Sequence, residues 1–342
     1  MAIQIITNGT VSIQTGKTLH VVGLSGGKDS TATLLLAIDK VGIDRVLPVF
    51  ADTGNEHPQT YEYLKHLEAQ LGISIMRVKP DFTEEFKRKR KFISEDRRTK
   101  RNKFGTKLRW SNKAKRRALL VLYPTGNPFL DLCMLNGQFP TNKTRFCTET
   151  LKRDLFVEMV DEIVQANKGN KVVVWQGVRR DESAKRADAR KFSRVIRGFY
   201  NFRPLITWSV DDVFKCIADH GIQPNPLYAS DLSRVGCAPC IYSNKPDLRV
   251  LFSGADGQDI IEKIEEWEFL VSSASKKGRA AFFQGRELAG TKKNTVSELV
   301  FWDRHKIGNI VKWVTKPGQF KAGDWDALEV AGSCQMALGL CE

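Results

Sequence analysis

The sequence predicts an α/β protein built on a parallel sheet with helices on both faces. Two observations carry this. Short apolar runs alternate with amphipathic, helix-length segments between residues 18 and 78. The first of these runs also passes through a bare glycine turn straight into a helix. A chain of 342 residues, 42% hydrophobic and 27% charged, has the length for one large domain or two smaller ones.

Taken in order, Val21, Val22 and Leu24 read as a buried strand, and Ser25, Gly26 and Gly27 as a turn. Lys28, Asp29 and Ser30 open a helix that runs through Leu34, Leu35, Leu36 and Ile38. The N–H groups of a first helical turn and the positive end of its dipole make an anion site, to which Lys28 adds a charge and Ser30 a hydroxyl. A phosphate or pyrophosphate is the natural ligand. The Walker pattern does not fit, since it needs Gly at Val22 and Ser or Thr at Asp29. Residues 46–51 are the second strand, followed by the polar loop Asp52-Thr-Gly-Asn-Glu56. A helix over 57–71 presents Tyr61, Leu64, Leu67 and Leu71 on one face, and 73–78 alternate as a third strand. Ligands of such sheets sit at the carboxyl ends of the strands, which places the loops after Leu24 and Phe50 on one edge.

Residues 81–128 break the alternation. From Lys87 to Arg117 there are sixteen Lys and Arg against Glu95 and Asp96, which is +14 of the net +15. Arg97, Arg98, Lys100, Arg101, Lys115, Arg116 and Arg117 are the candidate contacts to a polyanion, with Phe92, Phe104 and Trp110 interleaved as candidate stacking rings. The bland alternative is a solvated basic segment with no ligand. No apolar run reaches the roughly eighteen residues of a membrane span, so no membrane partner is expected. The N-terminal residues lack the pattern of a signal peptide, and the chain reads as cytoplasmic.

Thr148 is placed to cap a helix through Leu151, Leu155, Val160 and Ile163, with Cys147 just before its N-terminus, where a thiolate is favoured. Residues 171–176 form another buried strand leading into Gly177-Val-Arg179-Arg180, whose adjacent arginines suit a phosphate or sulfate. Ser209 caps, and Gly221 stops, a helix in which Cys216 is a packing residue and His220 faces the C-terminal dipole. From about Asp256 the chain is mainly helical. The expected division is residues 1–245, carrying the basic insert, and 246–342.

Seven cysteines in a chain without an export signal favour metal or redox chemistry over disulfides. Cys237 and Cys240 have the spacing of a bidentate clamp, open between zinc, an iron–sulfur cluster and a dithiol. Cys133 and Cys147 are the candidates to complete four thiolates, with Cys334 and Cys341 as further possibilities.

Ser25 to Ser30, Asp52 to Glu56, Arg145-Phe-Cys-Thr, Gly177 to Ser183, Pro204 to Asp212, and Asn225-Pro-Leu-Tyr with Gly236-Cys-Ala-Pro-Cys form a set. The set resembles the phosphoadenosine-phosphosulfate reductase family of PP-loop, N-type ATP pyrophosphatases. The resemblance implies an adenine nucleotide alpha hydrolase-like fold. Sulfonucleotide reductases of that family carry a C-terminal Glu-Cys-Gly-Leu-His motif, which is not in this sequence. The iron–sulfur branch that includes the enzymes of DNA phosphorothioation is the more similar. It implies ATP held by Ser25, Gly26, Gly27, Lys28, Asp29 and Ser30, and Mg²⁺ held by Asp29 and Asp52. It implies charge stabilisation by Lys28, Arg179 and Arg180, and a 4Fe–4S cluster on Cys133, Cys147, Cys237 and Cys240. The implied partners are a nucleic acid, DNA before tRNA, and a sulfur donor such as a cysteine desulfurase. A PAPS or adenylyl-sulfate reductase, and a nucleic-acid-binding subunit with a structural metal, are the alternatives.

Overall fold

The computed structural model describes residues 2–5, 18–103, 105, 107–141, 143–166, 171–182, 186–195, 198–230, 232–284 and 298–316. Phe104, Cys334 and Cys341 lie outside them. The strands are β1 (Ala2–Ile5), β2 (Leu19–Leu24), β3 (Val46–Ala51), β4 (Met76–Asp81), β5 (Val172–Trp175), β6 (Phe192–Arg194) and β7 (Tyr200–Phe202). They form one sheet in the order β1-β4-β3-β2-β5-β7-β6. The ladders β4–β3, β3–β2, β2–β5 and β5–β7 are parallel, and β6 runs antiparallel to β7.

The chain divides into two compact units. One holds Ile3–Lys79 and Thr148–Tyr242; the other holds Pro80–Cys147 and the described residues from Ser243 on. This differs from a boundary at residue 245 with the basic stretch as an insert in the first domain: that stretch packs instead with the C-terminal helices. Spacing along a chain carries no information about such long-range pairing.

In the sheet unit the side chains of β2 alternate. Val22 and Leu24 pack against Leu34 and Leu35 of α1 (Lys28–Val41), Leu64 and Leu67 of α2 (Pro58–Leu71), and Val213 and Ile217 of a later helix. Leu19 and Val21 face the opposite side, with Leu155, Phe156, Met159 and Val160. Helices therefore cover both faces, as a parallel sheet with hydrophobic strands requires.

Two local readings shift. The strand expected at 73–78 begins at Met76. Gly72 ends α2 in the left-handed conformation, and the next N–H groups turn back onto the helix: Ile73 N–H donates to the Glu68 carbonyl and Ile75 N–H to its carboxylate. Thr148 is not an N-cap. The helix begins at Phe146, passes through a π-helical stretch at Glu149–Asp154 and continues to Ala166, so Cys147 lies in its first turn.

The helical unit comprises α3 (Thr83–Glu95), α4 (Asn112–Val121) and α5 (Pro128–Asn136). The short α6 (Phe146–Thr148) leads toward α7 (Leu155–Ala166) and α8 (Val210–Asp219) of the sheet unit. The helical unit resumes with α9 (Lys245–Ser253), α10 (Gly257–Ala274), α11 (Glu298–Arg304) and α12 (Ile307–Thr315). Its core is aromatic: Phe129 meets Trp267 at 5.5 Å and Phe282 at 5.9 Å, and Phe282 meets Phe139 at 5.2 Å between ring centres. Trp110 is buried, so it is a packing residue and not a stacking platform. Among the described residues no helix is long and apolar enough to cross a membrane.

Candidate nucleotide site

Strand order locates the site. The chain moves from β2 through β3 to β4 on one side and then places β5 on the other side of β2. The loops leaving β2 and β5 therefore diverge at their carboxyl ends, the position where open α/β sheets bind ligands. These loops are Ser25–Gly27 and Gln176–Arg179. The second loop meets the first turn of α1: a Cβ on Gly177 would lie 2.8 Å from the Asp29 carbonyl carbon and oxygen and 3.0 Å from the Ser30 nitrogen. Only glycine permits that approach.

The first loop is closed on itself and held from two sides. Gly26 has φ +78°, and a Cβ there would meet Thr60 Cγ2 at 2.6 Å. Ser30 Oγ donates to the Gly27 carbonyl at 2.9 Å and accepts from the Ser25 N–H at 3.2 Å. Asn225 Nδ2 donates to the Gly26 carbonyl at 3.0 Å, and the Tyr228 hydroxyl accepts from the Lys28 N–H at 2.9 Å. Gly27, at the N-cap of α1, brings no side-chain cap to the helix start. Lys28 Nζ lies 5.4 Å from the Tyr228 ring centre.

Asp29 and Arg179 form the buried charge pair of the site. Asp29 is fully buried; its Oδ1 accepts from Arg179 Nε at 2.7 Å and its Oδ2 lies 3.1 Å from Lys28 Nζ. Arg179 Nη1 also donates to both Asp181 oxygens, at 2.7 and 2.6 Å. Its charge is thus matched by carboxylates within the protein. Arg180 is exposed, and its guanidinium donates to the Ala189 carbonyl at 3.1 Å.

Beside it, the loop after β3 carries a second polar group. Asp52 Oδ1 accepts from the Gly54 N–H at 2.9 Å and from the Tyr61 hydroxyl at 2.8 Å. Glu56 is buried and accepts from Thr53 Oγ1 at 2.6 Å. Burial pushes the Glu56 carboxyl above its ordinary range, against the opposing charge of Lys152. Burial, then the neighbouring Glu56 and Asp52 charges, push the Tyr61 phenol up, so it stays a donor. This loop also anchors the cysteine clamp. Glu56 pairs with Cys237 in an isolated antiparallel bridge, Ala238 N–H donates to the Asn55 carbonyl at 2.7 Å, and Asn55 Nδ2 to the Pro239 carbonyl at 3.1 Å.

The expected four-thiolate set is divided. Cys237 and Cys240 belong to the sheet unit, Cys133 and Cys147 to the helical unit. Cys133 is buried, and burial, followed by the nearby Cys147, raises its thiol well above the ordinary value. Cys216 packs in the core beneath α1, as expected. Among the described residues, no group of three or more His, Cys, Asp or Glu within either unit is arranged to hold a metal. The donors of one unit therefore do not fit a 4Fe–4S cluster by themselves.

The candidate polyanion contacts also divide. Arg97, Lys100 and Arg116 are exposed. Arg98 is bound to Asp96, with Nε to Oδ1 at 2.8 Å, and Arg101 Nη1 donates to the Gly105 carbonyl at 2.6 Å. Lys115 donates to the Ser94 and Asp96 carbonyls at 3.0 and 2.9 Å, and Arg117 to the Ser273 and Ser275 carbonyls at 3.2 and 2.7 Å. In the sequence Asn225 and Tyr228 stand out only as part of the run Asn225-Pro-Leu-Tyr; in the fold both hold the loop after β2.

A model of the phosphoadenosine phosphosulfate reductase domain matches residues 19–243. An uncharacterised 37.8 kDa protein of Escherichia phage 186 is 43% identical over 272 residues, 78% of this chain and 79% of that protein. An adenosine 5'-phosphosulfate reductase of Streptomyces coelicolor is 40% identical over 65 residues, 19% of this chain and 28% of the enzyme. The crystal structure of phosphoadenylyl-sulfate reductase from Candida auris aligns with a TM-score of 0.37 and 14% identity, over 68% of this chain and 85% of that one.

Proposed function

The chain belongs to the phosphoadenosine phosphosulfate reductase domain family, and on that premise we propose that it is an ATP pyrophosphatase that adenylates a backbone phosphate of a nucleic acid, DNA in the first place, in preparation for sulfur transfer. An oxygen of the acceptor phosphate attacks the α-phosphorus of ATP, the α–β bridging P–O bond breaks, and pyrophosphate leaves. A persulfide on a sulfur donor, such as a cysteine desulfurase, then attacks the acceptor phosphorus through its terminal sulfur, the P–O bond to AMP breaks, and a thiol cleaves the remaining S–S bond, leaving sulfur on phosphorus and the donor as a disulfide with that thiol. The observation that carries the reading is the turn from Ser25 to Ser30: a positive-φ glycine, a glycine N-cap and Lys28 at a helix start on the switch edge of the sheet.

In this reading the helix start and Lys28 hold the leaving pyrophosphate, where developing charge is stabilised by preorganised donors. The Tyr228 hydroxyl occupies the Lys28 N–H and gives way to a phosphate oxygen. Arg179 acts as a positioning residue: it fixes Asp29, which fixes the loop. Arg180 is the arginine left to meet an acceptor phosphate. Asp52, partly exposed at the end of β3, would hold Mg²⁺, an ion that takes one or two carboxylates and completes its shell with substrate phosphates and water. When bound it neutralises phosphate charge. Asp29 is committed to Arg179 and Lys28 and suits this role less well. The 4Fe–4S cluster carries no step here: among the described residues neither unit alone supplies four thiolates.

The test is product analysis with ATP labelled at the α-phosphorus. AMP and pyrophosphate are expected, with turnover raised by DNA. Products of ADP and phosphate, or no cleavage with or without nucleic acid, would reject the proposal. The local match to an adenosine 5'-phosphosulfate reductase supports a second reading as a sulfonucleotide reductase. Sulfite release from adenosine 5'-phosphosulfate with a thiol reductant distinguishes it.

A further inference from the structure

We infer that two exposed rings of the basic unit, Phe92 near the end of α3 and Tyr123 just past the end of α4, bind single-stranded nucleic acid by stacking of its bases. The inference rests on the nucleic-acid reading above and specifies the form of that partner. Phe92 is 45% exposed and Tyr123 53% exposed, whereas the other described rings of residues 81–128, Phe82, Phe86 and Trp110, are buried. Large rings left in water within a basic surface are the unusual feature, since a lone solvated charge run needs no aromatic side chains.

Each ring is backed by a fixed guanidinium. The Arg90 guanidinium carbon lies 3.9 Å from the Tyr123 ring centre, and that of Arg98 lies 4.8 Å from the Phe92 ring centre. Neither arginine is loose. Arg90 Nη1 donates to the Leu119 carbonyl at 2.6 Å and the Leu122 carbonyl at 3.2 Å, and Arg98 is held by the Asp96 carboxylate. A ring seated on an immobilised cation is already ordered before a base arrives, so stacking costs little further side-chain entropy. Arg97, Lys100 and Arg116 are exposed in the same unit and supply phosphate contacts.

The chemistry favours a single strand over a duplex. A paired base offers only its edge in a groove, whereas stacking on a side-chain ring needs the face of an unstacked base. Sequence preference is expected to be weak, because every base has such a face.

Fluorescence anisotropy with labelled single-stranded and duplex DNA of equal length, over a series of salt concentrations, tests this. The wild type should bind the single strand more tightly. Phe92→Leu and Tyr123→Leu should each weaken single-strand binding about fivefold or more, with the dependence on salt unchanged, because no charge is lost. Arg116→Ala should instead lower the salt slope by about 0.7. Tyr123→Phe keeps the ring and should keep the affinity; a loss equal to that of Tyr123→Leu would overturn stacking at this position. Melting temperatures within a degree or so of wild type verify that the exposed-site variants are folded. Equal affinity for both forms, insensitive to the leucine variants, overturns the single-strand inference and leaves a nucleic-acid acceptor in place. No binding to either form overturns both.

Discussion

The two units match their charges by different means. Around the nucleotide loop, charge meets charge: Arg179 is bracketed by Asp29 and Asp181, and Lys28 lies 3.1 Å from Asp29. In the helical unit, beside ion pairs such as Arg98–Asp96, cations also meet main-chain oxygen. Arg117 holds carbonyls at the end of α10, Arg90 those at the end of α4, Lys115 those at the end of α3, and Arg249 the Val314 carbonyl of α12. Both solutions satisfy buried polar groups. Only the first neutralises charge. A carbonyl completes the hydrogen bonds of a cation and the unpaired end of a helix, yet leaves the net charge in place. The helical unit can therefore fold around its cations and still present a strongly positive surface. The sheet unit concentrates its cationic effect on Lys28 and the helix start.

The largest effect should follow from removing that cation. Lys28→Ala should reduce pyrophosphate release by roughly a hundredfold or more, the scale on which preorganised charge stabilisation acts. The fold should survive, because Lys28 is not part of either hydrophobic cluster of the sheet unit. Steady-state release of pyrophosphate, with circular dichroism as control, measures this. Wild-type turnover in the variant would remove the distinction between the two units, since the loop would then not be where charge does its work.

A pair of neighbours tests the helical unit. Arg117 caps the end of α10 and packs so closely that a Cβ on Gly278 would lie 2.6 Å from its Nη1, whereas Arg116 is exposed. Arg117→Ala should cost about 1–3 kcal/mol of stability, the worth of hydrogen bonds from a charged donor. Arg116→Ala should stay within about 0.5 kcal/mol of the wild type. Urea denaturation of both variants compares them. Equal stabilities would mean that the carbonyl contacts are incidental and that the basic stretch is a solvated face.

Much of the site was legible in the sequence because its signals are local. The run from Val21 to Ser30 dictates strand, turn and helix by residue type alone, and strand ends fix the edge on which loops meet. What was hidden depends on distant partners. Arg179 reads as a phosphate ligand until Asp29 and Asp181 are seen on it. Trp110 reads as a stacking ring, but the ring is buried and its main-chain N–H donates to Asp96, which in turn is held as an anion by Arg98 and lies well below the usual carboxylate range. Among sixteen cations in one stretch, spacing cannot tell those that end helices from those that face water. The start of β4 moved because Glu68, a turn back along the chain, takes the N–H groups ahead of it.

Glu268 gives the smallest and sharpest test, because it inverts the rule of its unit. Here a buried carboxyl meets main-chain N–H groups: Glu268 Oε1 accepts from Phe282 N–H at 2.8 Å and from Ile307 N–H, the first residue of α12, at 3.2 Å. Burial raises its pKa to about 7, with the two N–H bonds and Lys306 opposing and Glu265 assisting. An unfolded glutamic acid titrates near 4.5. Between these values the folded state retains a proton that the unfolded chain has already released, so this group's contribution to stability falls as pH rises from about 4.5 to about 7 and then levels off. Glu268→Gln keeps the carbonyl acceptor and cannot ionise. The melting temperature of the wild type should therefore decline against that of the variant between pH 5 and pH 8, by roughly 2–4 °C for each kcal/mol of linkage. A difference that stays flat across this range would show that Glu268 is ionised throughout, and that two main-chain N–H groups suffice to hold a buried carboxylate in this unit.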